Sequence, residues 1–268
     1  MRLEIYYIPV ALFAGIGLLA AILLIIASKL FAVQTDERIS EIEEILPHAN
    51  CGACGYAGCA DYAAAVVNGG AATNLCKPGG TETAEKVAAV MGTKAEAVRP
   101  EVMVLRCRGN CNAAVRKYEY DGIQSCAAAQ HFFGGSNACA YGCIGLGDCV
   151  KVCDQNAIRI VNGIADIQPG LCVACGKCAQ VCPNQLLALR GTDKHYDVRC
   201  SSHDNGKTTK LICNNGCIGC KICERKCLRH AITVTNFLAV IDYNKCENCG
   251  VCRENCPTGA IVCCEDTN

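Results

Sequence analysis

The 268-residue chain contains no tryptophan, so a conventional core built on large aromatic side chains is a poor candidate for what organises it. It also lacks any excess of charge. Lys plus Arg and Asp plus Glu stand at 25 each, which excludes the basic footprint with which proteins grip nucleic acid. There is no glycine-rich loop of the kind that binds nicotinamide or flavin nucleotides, and no paired nucleophile and base. The five histidines show no ligand spacing. These absences exclude a nucleic-acid module, a nucleotide-dependent dehydrogenase and a nucleophilic hydrolase.

What the chain has instead is cysteine, 27 residues in all. Secreted disulfide frameworks, structural zinc and iron–sulfur clusters are the ordinary uses of so much cysteine. The count is odd, and most of the cysteines stand only two or three residues apart, too close for loop-closing bridges. The spacing therefore favours thiolate ligands.

Residues 5–28 form an uncharged stretch rich in Leu, Ile and Ala, bounded by Glu4 and Lys29. As a helix it would run about 36 Å, against about 30 Å for a bilayer core. A signal peptide's apolar region is shorter, about 7–15 residues. Residues 1–30 are therefore expected to be a single-pass transmembrane anchor. Arg2, Lys29 and Arg38 carry too small a bias to orient it. Thiolates that must stay reduced place the remainder on the cytoplasmic side of the cell (inner) membrane.

A first module spans 31–95. Residues 35–46 read as a short amphipathic helix, with Ile39, Ile42, Ile45 and Leu46 at helical spacing and Pro47 as its stop. Cys51, Cys54 and Cys59 follow in CGACGYAGC, and Cys76 in CKPGG. Glycines let this loop wrap closely round an inorganic core, with an apolar helix over 60–67 behind it, so four thiolates converge on one 4Fe-4S cluster. The same spacing is a looser match to a zinc knuckle.

After a connecting segment, 96–138, the chain repeats itself at an offset of 74. Cys126, Cys139, Cys143, Cys149, Cys153, Cys172, Cys175, Cys178 and Cys182 recur as Cys200, Cys213, Cys217, Cys223, Cys227, Cys246, Cys249, Cys252 and Cys256. Glycines and apolar residues keep the same register, as in Gly145/Gly219 and Ile167/Ile241. Residues 139–192 and 193–268 are two copies of one domain. Each looks like a bacterial two-cluster ferredoxin, whose CxxCxxCxxxCP runs send the fourth cysteine to the other cluster. The whole chain is thus α+β: an anchor helix, a small mostly helical 4Fe-4S module and two tandem ferredoxin-like domains.

In the second copy the crossed ligands are Cys217, Cys220, Cys223 and Cys256 for one cluster, and Cys246, Cys249, Cys252 and Cys227 for the other. In the first copy Cys172, Cys175, Cys178 and Cys153 form a complete set. The other set has Cys143, Cys149 and Cys182, but Leu146 stands where the second copy has Cys220. Either a three-iron cluster forms there or Cys139 swings in; Cys139 is the expectation, although its counterpart Cys213 exists where no replacement is needed. Five clusters follow, with a possible sixth on Cys107, Cys111, Cys126 and one of Cys139, Cys200 or Cys213. Cys263 and Cys264 read as plain thiols.

The order of parts, an anchor, a CxxCGxxGC…C module and then doubled ferredoxin domains with VRCSSHDNGK and GCIGCKIC in the second copy, resembles the B-type subunit of the Rnf electron-transport complex in its clostridial or acetogenic form. The resemblance covers essentially the whole chain. It implies a translocase component that takes electrons from soluble ferredoxin and relays them through 4Fe-4S clusters to membrane and flavin-containing subunits. That complex couples electron flow between ferredoxin and NAD to sodium or proton translocation. It implies no catalytic residue beyond the cluster ligands and no nucleic-acid partner. A membrane-tethered polyferredoxin serving a different membrane reductase would share every motif.

Overall fold

The uncharged N-terminal run folds as one helix, α1 (Glu4–Leu30). The computed structural model describes residues 4–30 and 36–264, with side chains described at 12–27 and 36–264. Leu12, Phe13, Leu18, Leu19 and Leu24 are all exposed, so over the described side chains of 12–27 α1 turns its large apolar groups outward. Among the described residues no helix is long and apolar enough to cross a membrane. The single N-terminal span expected from the sequence therefore does not follow from the fold. Arg2 and Thr35, used above for orientation and for the start of the amphipathic helix, lie outside the described residues.

Asp36 opens the first folded unit by accepting the Arg38 N–H at 3.0 Å, which caps α2 (Glu37–Ile45). Leu46 closes that helix, and with Ile42 it packs against α3 (Cys59–Gly69) and α4 (Gly80–Val90). Ile42, Tyr62, Ala63, Val66 and Val87 are buried to 1% exposure or less. Each large side chain among them contributes roughly 1.5–3 kcal/mol on burial. The Tyr62 hydroxyl donates to Ala72 O at 2.8 Å and accepts from Leu75 N at 3.3 Å, which fixes the return loop to Cys76.

The remaining chain forms two units of paired strands. In the first, the hairpin β2 (Ile158–Val161) with β3 (Ile164–Ile167) matches, at the offset of 74, the hairpin β6 (Ile232–Thr235) with β7 (Leu238–Ile241) in the second. Each unit closes with an antiparallel pair of strands distant in sequence. β5 (Tyr196–Val198) pairs with β8 (Ile261–Cys263) in the second unit. In the first, β1 (Glu101–Leu105) pairs with β4 (Leu187–Gly191), and Met103 and Leu105 enter that unit's core. The connecting segment thus supplies an integral strand.

The two units meet at a buried ion pair. Arg190 on β4 reaches Asp197 on β5 at 2.5 Å, and Tyr243 donates to the other Asp197 oxygen at 2.6 Å. Burial, then the Asp197 charge, pushes the Tyr243 hydroxyl well above its ordinary pKa. Short helices between the strands carry the cysteine runs on their N-terminal loops, where Gly147, Gly176 and Gly250 take φ near 79°.

Candidate iron–sulfur centres

Cys51 and Cys54 lie on the loop leading into α3, Cys59 is the first residue of that helix, and Cys76 lies on the loop leaving it. Gly52 and Gly55 take φ of 71° and 89°, a left-handed path that lets the loop curl back on itself. Asn50 pins the curl by accepting the Cys59 N–H at 2.8 Å. Burial, and then the nearby Cys59, Cys51 and Cys54, push the Cys76 thiol up. All four expected ligands are therefore neighbours.

In the first ferredoxin-like unit, Cys153, Cys172, Cys175 and Cys178 line one cavity, with Cys51 of the first module also on its wall. Cys143, Cys149 and Cys182 line a second cavity, and the fourth cysteine there is Cys126. The expected replacement, Cys139, lines a different cavity. Ser125 explains the placement: its hydroxyl caps the helix Cys126–His131 and donates to Asp148 at 2.8 Å, directly beside Cys149. The Ala127 N–H donates to the same carboxylate at 3.1 Å. Burial pushes the Asp148 carboxyl up, but the hydrogen bonds from Ala127, Ser125 and Lys151 outweigh it and hold the group below its ordinary pKa.

In the second unit, Cys223 has Cys217, Cys220 and Cys256 as neighbours, and Cys252 has Cys246 and Cys249. Cys227 and Cys256 pack on the same core. The spacing implies crossed sets made of these same cysteines.

The chemistry of the donor sets fits inorganic clusters. Backbone N–H groups point at sulfur throughout: Ala157 to Cys153 at 3.3 Å, its repeat counterpart Ala231 to Cys227 at 3.3 Å, and Leu186 to Cys182 at 3.4 Å. Such bonds stabilise a thiolate and tune a bound cluster. Among the described residues, no group of three or more His, Cys, Asp or Glu is gathered for a single metal ion. Burial pushes the Cys143, Cys178 and Cys223 thiols up to about 12. Iron must therefore displace protons from these groups, and loading is favoured by rising pH.

Of the thiols expected at a sixth site, Cys111 is exposed and lines none of these cavities, and Cys126 lines the cavity of Cys143, Cys149 and Cys182. Cys107 meets Cys139, Cys200 and Cys213 instead. Cys263 is half-buried on β8 and Cys264 is exposed beside His195. No spacing in the sequence links Cys126 to Cys143. The only signal was the vacancy at Leu146 itself, and it did not say which thiol filled it.

A family model for an Fe-S cluster matches residues 46–78, a 4Fe-4S dicluster domain matches 137–192 and a 4Fe-4S binding domain matches 239–262. The B-type component of the ion-translocating oxidoreductase complex of Methanosarcina acetivorans is 40% identical over 253 residues, 94% of this chain and 96% of the relative. The corresponding component of the Na(+)-translocating ferredoxin:NAD(+) oxidoreductase complex of Acetobacterium woodii is 39% identical over 95% of this chain and 77% of its own. Its proton-translocating counterpart from Clostridium ljungdahlii is 41% identical over 92% and 88%. With clustered cysteines of this chemistry and likeness over nearly the whole length, the chain belongs to the B-type subunit family of ion-translocating oxidoreductase complexes and is an iron–sulfur electron-transfer protein carrying several 4Fe-4S clusters.

Proposed function

We propose that this chain takes electrons from soluble ferredoxin at its second ferredoxin-like unit and delivers them, through cysteine sites in spatial succession, to membrane and flavin-containing subunits that reduce NAD. A 4Fe-4S cluster, when bound, exchanges single electrons. The chain's own residues hold such groups in order and shield them. The ligand sets we assign are Cys51, Cys54, Cys59 and Cys76; Cys153, Cys172, Cys175 and Cys178; Cys126, Cys143, Cys149 and Cys182; Cys217, Cys220, Cys223 and Cys256; and Cys227, Cys246, Cys249 and Cys252.

The observation that carries this reading is the adjacency of the sets. Cys51 of the first module borders the cavity of Cys153, Cys172, Cys175 and Cys178, and Cys149 of the next set is among the neighbours of Cys178. At the other end Cys249 is exposed. Close to that set in sequence, Leu228 is 86% exposed, and Lys221, Arg225, Lys226 and Arg229 stand around it in the chain. An apolar contact ringed by cations suits an acidic one-electron carrier.

We assign α1 the role of a single-pass anchor that holds the first module at the membrane with the cysteine sites in the cytoplasm. Its uncharged run over 5–28 and the outward apolar side chains of 12–26 support this. The coupling ion is not chosen by likeness of this component: relatives named for sodium and for protons stand at 39% and 41% identity.

The test is anaerobic affinity purification from native membranes in mild detergent, followed by addition of reduced ferredoxin and NAD. Co-purifying flavin-containing membrane proteins and NAD reduction are expected. A chain that elutes alone and inactive, yet rich in iron and sulfide, would favour a tethered polyferredoxin serving another reductase.

A further inference from the structure

Four thiols outside those five sets converge on a cavity between the two ferredoxin-like units. Cys107 follows β1, Cys139 precedes the first unit's cysteine run, Cys200 follows β5, and Cys213 caps the helix Gly206–Ile212. Separate segments of the chain therefore contribute. They are laced together by the stretch 113–115: Val115 N donates to Ile212 O at 2.9 Å, Asn214 N to Ala113 O at 2.9 Å, and Ala138 N to Val115 O at 2.7 Å.

The cavity has the features of the other sites. Gly109 N and Cys143 N donate to the Cys107 sulfur at 3.4 and 3.3 Å, and Ser202 N donates to the Cys200 sulfur at 3.4 Å. A Cβ at Gly109 would stand 3.5 Å from the Cys213 sulfur and 3.6 Å from the Cys107 sulfur, so this glycine leaves open the space that the two thiols flank. Arg108 and Arg199 also line the cavity and set positive charge beside four thiols that must ionise to bind iron.

We propose that Cys107, Cys139, Cys200 and Cys213 hold a sixth 4Fe-4S cluster that bridges the two ferredoxin-like units. This rests on the electron-transfer reading and deepens it, because the site borders Cys143 of the first unit on one side and Cys217 of the second on the other. Without it the two halves of the succession share no cysteine site at their seam. The repeat also becomes intelligible: Cys139 and Cys213, counterparts at the offset of 74, face each other across the junction of the copies.

The test is the iron and acid-labile sulfide content of the full chain purified anaerobically, compared with Cys107→Ala/Cys213→Ala and with Cys111→Ala as control. The double variant is expected to lose about four iron and four sulfide per chain, and the control none. A double variant with the wild-type iron and sulfide content overturns the proposal. Should the double variant fail to accumulate, Cys139→Ala leaves three ligands, and a new paramagnetic signal of a three-iron cluster is expected in the oxidised chain. An unchanged spectrum and unchanged iron overturn the proposal equally. The wild type separates the two levels of inference. About 20 iron with matching sulfide removes only the bridging site, whereas zinc without sulfide removes the electron-transfer reading itself.

Discussion

The two ferredoxin-like units share their hairpins, their crossed cysteine runs and a left-handed glycine, Gly145 or Gly219, that lies against the hairpin turn. They differ where Leu146 in the first stands for Cys220 in the second, and where Asp148 stands for Ile222. In the first unit Asp148 ties the cap of the helix Cys126–His131 to the cluster loop and so brings Cys126 into the vacant place. In the second, Cys220 fills that place, and Cys200, the counterpart of Cys126, turns to the seam between the units. A cluster site demands four sulfurs at the right points in space and is indifferent to how the chain delivers them. Duplication supplied spare thiols, and the two copies put them to different uses.

The most disruptive way to break this comparison is Cys126→Ala. It is expected to strip or convert the second cluster of the first unit, with a loss of between about one and four iron per chain. Adding Leu146→Cys should restore the iron by giving the first copy the second copy's own ligand. Iron analysis of the single and double variants reads both, and a single variant that keeps its full iron would mean that the first unit does not use Cys126.

The seam offers the next largest effect. Arg190→Met leaves the buried Asp197 carboxylate with the Tyr243 hydroxyl but without its ion-pair partner, and a loss of about 3–5 kcal/mol in unfolding free energy is expected. Anaerobic denaturant titration of the loaded chain measures it. A change below about 1 kcal/mol would mean that the ion pair does not hold the units together.

Asp148 distinguishes the units. Its pKa is depressed in the folded chain, so its contribution is present above its ordinary value of 3.8 and is lost as pH falls through the folded pKa. Acid strips sulfide from every cluster in that range, so the contrast is read at neutral pH, where the carboxylate is ionised: Asp148→Ala should loosen the Cys126 site and leave the second unit's sites intact. Iron and sulfide content of wild type and variant tests this; equal contents would remove Asp148 from the support of Cys126.

The smallest expected effect lies at the hairpin turns. The first is Asn162–Gly163, with φ of 49° and 79°, and the second is Asn236–Phe237, with φ of 49° and 63°. A two-residue turn with both φ positive suits Asn-Gly and strains Phe. Phe237→Gly should stabilise the second unit by about 1 kcal/mol. Destabilisation instead would mean that the half-exposed Phe237 ring contributes packing that outweighs its backbone strain.

Much of the design was legible because short-range spacing encodes it. The crossed sets of the second unit, the set on Cys172 and the first module follow from runs in which neighbouring ligands sit on one loop. Three features were not legible, each because it depends on closure between distant segments. β1 pairs with β4 across more than eighty residues. Cys126 reaches Cys143 only through the Asp148 clamp. The bridging set draws on Cys107, Cys139, Cys200 and Cys213, whose mutual spacings match no motif. The apolar run of α1 was legible, and the outward turn of its large apolar side chains over 12–26 was not.

The most direct test of the electron-carrying design is a reductive titration of the anaerobically purified full chain, counting electrons taken up per chain while the paramagnetic signals of the reduced state are recorded. Reversible uptake of about six electrons, one per site, with about 24 iron and 24 sulfide per chain, is the expected result. A chain that binds zinc, carries no sulfide and takes up no electrons would contradict it.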